Sequence, residues 1–178
     1  MKTRTGIIQW GLAAALLAAP ALARASSSGV PPTLEQRVQH ELRMLPYYNV
    51  FDNLEFQVSG DNVTLIGQVT DPTLKSDAAN AVKRIAGVKT VANNIEVLPL
   101  GPFDNQIRLA ELRAIYRFTP LERYGAGPIP SIRIVVKGGH VTLDGVVDSE
   151  TDRNMAYIRA SGVRNVFSVT NNLKVDKS

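Results

Sequence analysis

One stretch of this chain occurs twice. Residues 60–97, GDNVTLIGQVTDPTLKSDAANAVKRIAGVKTVANNIEV, align without a gap on residues 138–175, GGHVTLDGVVDSETDRNMAYIRASGVRNVFSVTNNLKV. Roughly a third of the aligned positions are identical, which marks an internal repeat. The identities fall where a small packed unit needs them. Val63, Thr64, Leu65, Gly67 and Val69 match Val141, Thr142, Leu143, Gly145 and Val147. Val88, Val91, Asn93, Asn94 and Val97 match Val166, Val169, Asn171, Asn172 and Val175.

The residues around each copy supply the other elements. Thr33 is placed to cap a helix whose apolar stripe is Leu34, Val38, Leu42 and Leu45, with Pro46 to stop it. Leu54, Phe56 and Val58 alternate as a strand, and residues 59–62 turn it into the strand at 63–69. Asp71 and Pro72 open a second helix with Leu74, Ala78, Val82 and Ile85 on its buried side. Gly87 ends it, and residues 91–98 form one closing strand. The second copy repeats this order: a helix at 107–118 with Leu109, Leu112, Ile115 and Tyr116 near one face, a Gly/Pro-rich loop at 120–130, and a hairpin around Gly138-Gly139. A helix at 150–161 follows, capped by Ser149 with Asp152, then a strand at 166–175. Gly67 and Gly145 interrupt apolar strands and are expected to mark close approach of a helix to the sheet.

The fold class is therefore α+β: two tandem α-β-β-α-β units, each a three-stranded sheet with two helices on one face. The boundaries read as 1–25 leader, 26–32 linker, 33–98 first unit, 99–103 linker and 104–178 second unit. Each unit is near the lower size limit for an independent core, so mutual packing is expected to help both.

The amino terminus reads as a cleaved secretory signal. Lys2 and Arg4 precede an apolar run at 7–19, and Ala21, Ala23 and Ala25 provide small residues for cleavage near Ala25. The run is shorter than the ~20 residues that span a bilayer. The formal charge is +4, but Lys2, Arg4 and Arg24 leave with the leader. The remainder is close to neutral, so the basic balance does not point to nucleic acid. Cysteine is absent. This excludes disulfides, zinc–thiolate centres and cysteine nucleophiles, and leaves no residue for a lipoprotein anchor. His40 and His140 stand apart with no carboxylate cluster or metal-ligand spacing, so no metal or cofactor is expected. No acid–base pair, nucleophile elbow or phosphate loop points to an enzyme.

The pattern VTLxGxV, a capped helix and then GVxxVxNxIxV resembles the BON domain, and both copies carry it. They depart at one position, where Asn165 stands in place of Gly87. That domain occurs in bacterial periplasmic osmotic-stress proteins and envelope lipoproteins. The resemblance implies a non-catalytic periplasmic binding protein that associates reversibly with phospholipid or the envelope surface. In two-domain members it places anionic-lipid contact on the first helix of the second domain. The matching stretch, residues 107–121, carries Arg108, Arg113, Tyr116, Arg117 and Phe118 as candidate lipid-binding residues. The alternative is a protein-interaction or self-association module. Its candidate contact residues are Tyr47, Tyr48 and Phe51 in an aromatic connection that could equally cover a core or meet the second unit.

Overall fold

Thr33 caps α1 (Leu34–Arg43) reciprocally: its hydroxyl accepts from the Gln36 amide, and the Thr33 amide donates to the Gln36 side chain. The computed structural model describes residues 31–176. The expected leader and residues 26–30 of the expected linker lie outside the described residues. Strand β1 (Asn53–Ser59) pairs antiparallel with β2 (Asn62–Val69). Helix α2 (Pro72–Lys83), capped by Asp71, carries the chain across so that β3 (Thr90–Asn93) and β4 (Glu96–Val97) return parallel to β2. Val38 and Leu42 of α1, Leu74, Ala78 and Val82 of α2, and Val63, Leu65 and Val69 of β2 form one core. Both helices thus cover the same face of the sheet.

The second unit repeats the plan. It consists of α3 (Pro102–Tyr116), α4 (Thr119–Glu122), a 3-10 turn (Arg123–Gly125), β5 (Ile132–Lys137), β6 (His140–Val147), α5 (Glu150–Ser161), β7 (Ser168–Asn171) and β8 (Lys174–Val175). Strand β6 is central, antiparallel to β5 and parallel to β7 and β8.

Four local expectations need correction. The closing strand of each unit is not continuous. The Asn93 side chain accepts from the Ile95 amide at 3.3 Å and donates to the Lys75 carbonyl at 2.8 Å, breaking the strand and tying it to α2. Asn171 does the same with Leu173 and with Arg153 of α5. Helix α3 begins at Pro102 rather than at 107, because proline fits the first helical position and Asp104 is held by the β5–β6 turn. The 120–130 loop contains α4 and the 3-10 turn, closed by buried Leu121 and Tyr124. Finally, the close neighbour of Gly67 is the adjacent strand, not a helix. A Cβ there would lie 2.1 Å from the Asn53 carbonyl oxygen, and one on Gly145 would lie 1.9 Å from that of Ser131. Their φ angles, 114° and 128°, add a second reason for glycine.

The departure at Asn165 does not change the geometry. Asn165 has φ 70° and Gly87 has φ 98°. Asparagine is the side-chain-bearing residue best suited to this left-handed position after a helix.

The two units join through the connection between α1 and β1. Asp52 is fully buried and organises it, accepting from the Asn49 amide and from the amide and hydroxyl of Thr70. Val50 and Phe51 are thereby turned onto the core of the second unit, with Ile134, Leu143 and Ala156 among its members. The amide of Ile134 on β5 donates to the Val50 carbonyl at 2.9 Å. Lys137 pairs with Glu96, and the Arg133 guanidinium lies 4.7 Å from the centre of the Tyr48 ring. The expected mutual packing is thus built from both apolar and polar contacts.

Candidate functional site

Helix α3 has an unusual inward stripe. Asp104, Ile107, Arg108, Glu111 and Ile115 are its buried residues, and three of the five are charged. Asp104 is satisfied by the amides of Gly138 and Gly139, at 2.8 and 2.9 Å, which pin the start of the helix to the β5–β6 turn. Arg108 donates to Asn105 Oδ1 and to the carbonyls of Val136 and Pro99. Burial holds its guanidinium below the usual range, opposed by the charges of Asp104 and Asp52. Glu111 has no hydrogen-bond partner among the described residues for either carboxylate oxygen. Burial alone pushes its carboxyl up to about 8.

This inward stripe leaves Arg113 and Arg117 outward, as expected on the face away from Ile115, and turns Leu109 outward with them. At 100° per residue, Leu109, Arg113 and Arg117 fall on the opposite side of the helix, and Phe103 lies at its flank beside Ile107. Phe103 and Leu109 are 42% and 46% exposed, and both arginines are exposed. Leu109 is therefore not part of the core with Ile115. From α5, Arg159 reaches across and donates to the Ala114 carbonyl, its guanidinium 4.8 Å from the Phe118 ring centre. At the other end of α3, Phe167 extends the apolar surface. It is 67% exposed, with its ring 5.8 Å from that of Phe103 and an edge-on contact to His140. Gly139 permits this pair: a Cβ there would sit within 3.1 Å of both rings.

The candidate lipid-binding residues thus separate. Arg113 and Arg117 lie on the outer face of α3. Arg108 is buried and anchors α3 to β5 and to the inter-unit segment. Tyr116 is half-buried, and its hydroxyl donates to the Ile132 carbonyl at 2.5 Å. Burial raises its phenol above the ordinary range. Phe118 packs against the second core beneath Arg159. The sequence does not single out Phe103, Phe167 or Arg159 for this site, and it places Leu109 with Ile115. Leu109 was legible as outward only once Asp104, Arg108 and Glu111 were known to point inward, and Phe167 meets Phe103 only through the fold.

The candidate partner-contact residues also divide. Phe51 packs on the second core, and Tyr48 packs on the first and lies under Arg133. Tyr47, at φ 65°, is 76% exposed, near Met44 at 68%. Among the described residues, no group of three or more His, Asp or Glu side chains is placed to hold a metal ion. No helix among the described residues is long and apolar enough to cross a membrane.

The family model for the BON domain matches residues 32–99 and 121–177, one match in each unit. No curated protein matches the chain at a significant level. Two solved structures are similar at 12% identity, both from CdsD, a structural protein of the type III secretion system of Chlamydia trachomatis. One covers 81% of this chain and 93% of its own, with a TM-score of 0.30. The other, the C-terminal domain, covers 79% and 96%, with a TM-score of 0.27. Scores this low support no shared role.

Proposed function

This chain belongs to the BON-domain family, and from that premise we propose that the outer face of α3 docks reversibly on anionic phospholipid at the cell envelope. Membership supports a non-catalytic, envelope-associated role. The observation that carries the lipid reading is the pairing on one helical face of half-exposed Leu109 with exposed Arg113 and Arg117, with half-exposed Phe103 at the flank near the start of the helix. Apolar side chains enter the headgroup boundary while arginines stay with the phosphates, and binding scales with both contributions. Phe167 and Arg159 widen the surface at its two ends. One such patch gives weak attachment that readily reverses. The leader would deliver the protein to the periplasm, and its part there would be to support envelope integrity under osmotic stress.

The test is co-sedimentation of the purified protein with phosphatidylglycerol or phosphatidylcholine vesicles, alongside an Arg113→Glu/Arg117→Glu variant. Salt-sensitive binding to the anionic vesicles alone, lost in the variant, is the expected result. No binding to either vesicle overturns the proposal. A second reading, self-association or docking on an envelope protein, rests on exposed Tyr47 and Met44. It requires binding that ignores lipid charge and is lost in Tyr47→Ser.

A further inference from the structure

The repeat supplies an internal control for the exposed end of α3. Residues 61, 62, 89 and 90 of the first copy correspond to residues 139, 140, 167 and 168 of the second. The backbone is the same in both. The Lys89 amide donates to the Asp61 carbonyl at 2.8 Å, and the Phe167 amide donates to the Gly139 carbonyl at 2.9 Å. The side chains differ. In the first copy Lys89 closes an ion pair with Asp61 at 2.5 Å, and the Thr90 hydroxyl donates to Asn62. In the second, Gly139 leaves room for the exposed ring of Phe167 against Phe103. His140 stands edge-on to Phe167, with Nδ1 2.7 Å from the Ser168 hydroxyl. An ion pair and a neutral amide thus serve the fold equally well at this place, so packing requires neither the aromatic pair nor the imidazole. Exposed apolar rings that the fold does not need mark an interaction surface.

The imidazole is the part of this surface that can change its charge. Histidine is the side chain that gains a proton between pH 8 and 5. Among the described residues, Nδ1 is the ring nitrogen that has a partner. Once protonated, both ring nitrogens are donors, which leaves Nε2 for an acceptor from outside. The charged groups around His140 are already engaged or carry the same sign. On β5, its cross-strand partner Lys137 pairs with Glu96 of the first unit. On α3, Asp104 accepts from the amides of Gly138 and Gly139. Strand β7 presents the Ser168 hydroxyl, and the α5–β7 connection presents Phe167 and exposed Arg164. Among the described residues, no carboxylate forms an ion pair with His140. A proton on this ring therefore adds an uncompensated positive charge beside two exposed aromatic rings.

We propose that protonation of His140 strengthens docking of the second unit on anionic phospholipid, so that attachment tightens as the surrounding pH falls. This rests on the lipid reading of α3 and adds its regulation. Phe103 and Phe167 enter the headgroup boundary and bring the imidazolium to the level of the lipid phosphates, where Nε2 donates to a phosphate oxygen. The sign follows from linkage. An anionic surface favours the protonated ring, so docking takes up a proton and weakens as pH rises. One added positive charge at such a surface strengthens attachment roughly fivefold.

The experiment is co-sedimentation of the purified protein with phosphatidylglycerol vesicles at about pH 7.5 and about pH 5.5, either side of the imidazole range. It compares the parent with His140→Asn, which copies Asn62, and with His40→Asn. His40, on α1 of the first unit, is the other histidine of the chain. Glu111 largely keeps its proton at both values, because burial pushes its carboxyl up to about 8. The parent and His40→Asn should bind roughly fivefold tighter at the lower pH. His140→Asn should bind equally at both, and as the parent does at the higher. Binding by the parent that ignores pH, or a gain retained in His140→Asn, overturns this inference and leaves the lipid reading standing. A gain of equal size on phosphatidylcholine vesicles also overturns it, since that surface has no net charge to favour the proton. Binding at neither pH overturns both.

Discussion

The amide of Ile134, on the open edge of β5, donates to the carbonyl of Val50 at 2.9 Å. An uncovered strand edge invites pairing with another chain, and here a segment of the first unit covers it. The same segment buries the Val50 side chain among residues of the second core. Val50→Ala should therefore cost about 2 kcal/mol of stability, the range for deleting buried methyl groups. Urea unfolding measures this. A loss indistinguishable from zero would show that the second core closes without Val50.

Glu111 should make stability fall as pH rises. Its carboxyl has an ordinary value of 4.5 and is pushed up to about 8 in the fold. Between those values the folded chain holds a proton that the unfolded chain releases, so raising pH favours unfolding. Below about 4.5 both states are protonated and the contribution is flat. Above 8 the folded state carries a buried charge, and the accumulated loss is a few kcal/mol. Glu111→Gln should flatten this slope and be more stable than the parent at pH 8. Equal slopes from pH 5 to 8 in the two proteins would contradict the assignment.

The apolar half of the proposed membrane face can be separated from its charged half. Phe103→Ser and Phe167→Ser should each weaken binding to phosphatidylglycerol vesicles roughly fivefold, in line with partial burial of one aromatic ring. Both should keep the salt dependence, since the arginines remain. The arginine variant should lose it. Unchanged affinity in both serine variants would confine the contact to charge.

Asn165 tests the equivalence of the two repeats. At φ 70° a β-carbon is strained, so Asn165→Ala should lose about 1 kcal/mol. Asn165→Gly, which copies Gly87, should be neutral or slightly stabilising. Thermal unfolding of the two variants gives the comparison. An alanine variant as stable as the glycine one would mean that the left-handed turn is dispensable.

The repeat made most of the fold legible, because it placed equivalent residues at a constant offset and geometry followed. Asp71 and Ser149 both cap, and Asn93 and Asn171 both tie a closing strand to a helix. What stayed hidden lies where the copies differ. Asp104, Arg108 and Glu111 occupy inward positions that hydropathy assigns to solvent, so Leu109 was placed on the wrong side of α3. Asp104 is inward because two turn amides need an acceptor, and Arg108 because two carbonyls need a donor. Such needs arise only after the hairpin and helix meet. Residues 45–54 are legible as distinctive, and a contact with the second unit is one of the roles their aromatics suggest. The sharing of labour was not: Phe51 serves the second core, Tyr48 the first, and Tyr47 is left outside.

Val50 and Phe51 belong to the first copy by position and to the second by packing. Two tandem duplicates usually remain exchangeable parts, each able to be lost, multiplied or traded. Here that freedom has gone. A recombination that replaced the first copy with a relative's would also remove two side chains from the second core, so the two copies are coupled in stability as one piece. Divergence between the copies can then run far on their outer surfaces, while the short segment between α1 and β1 has to change in step with a sheet encoded some eighty residues away.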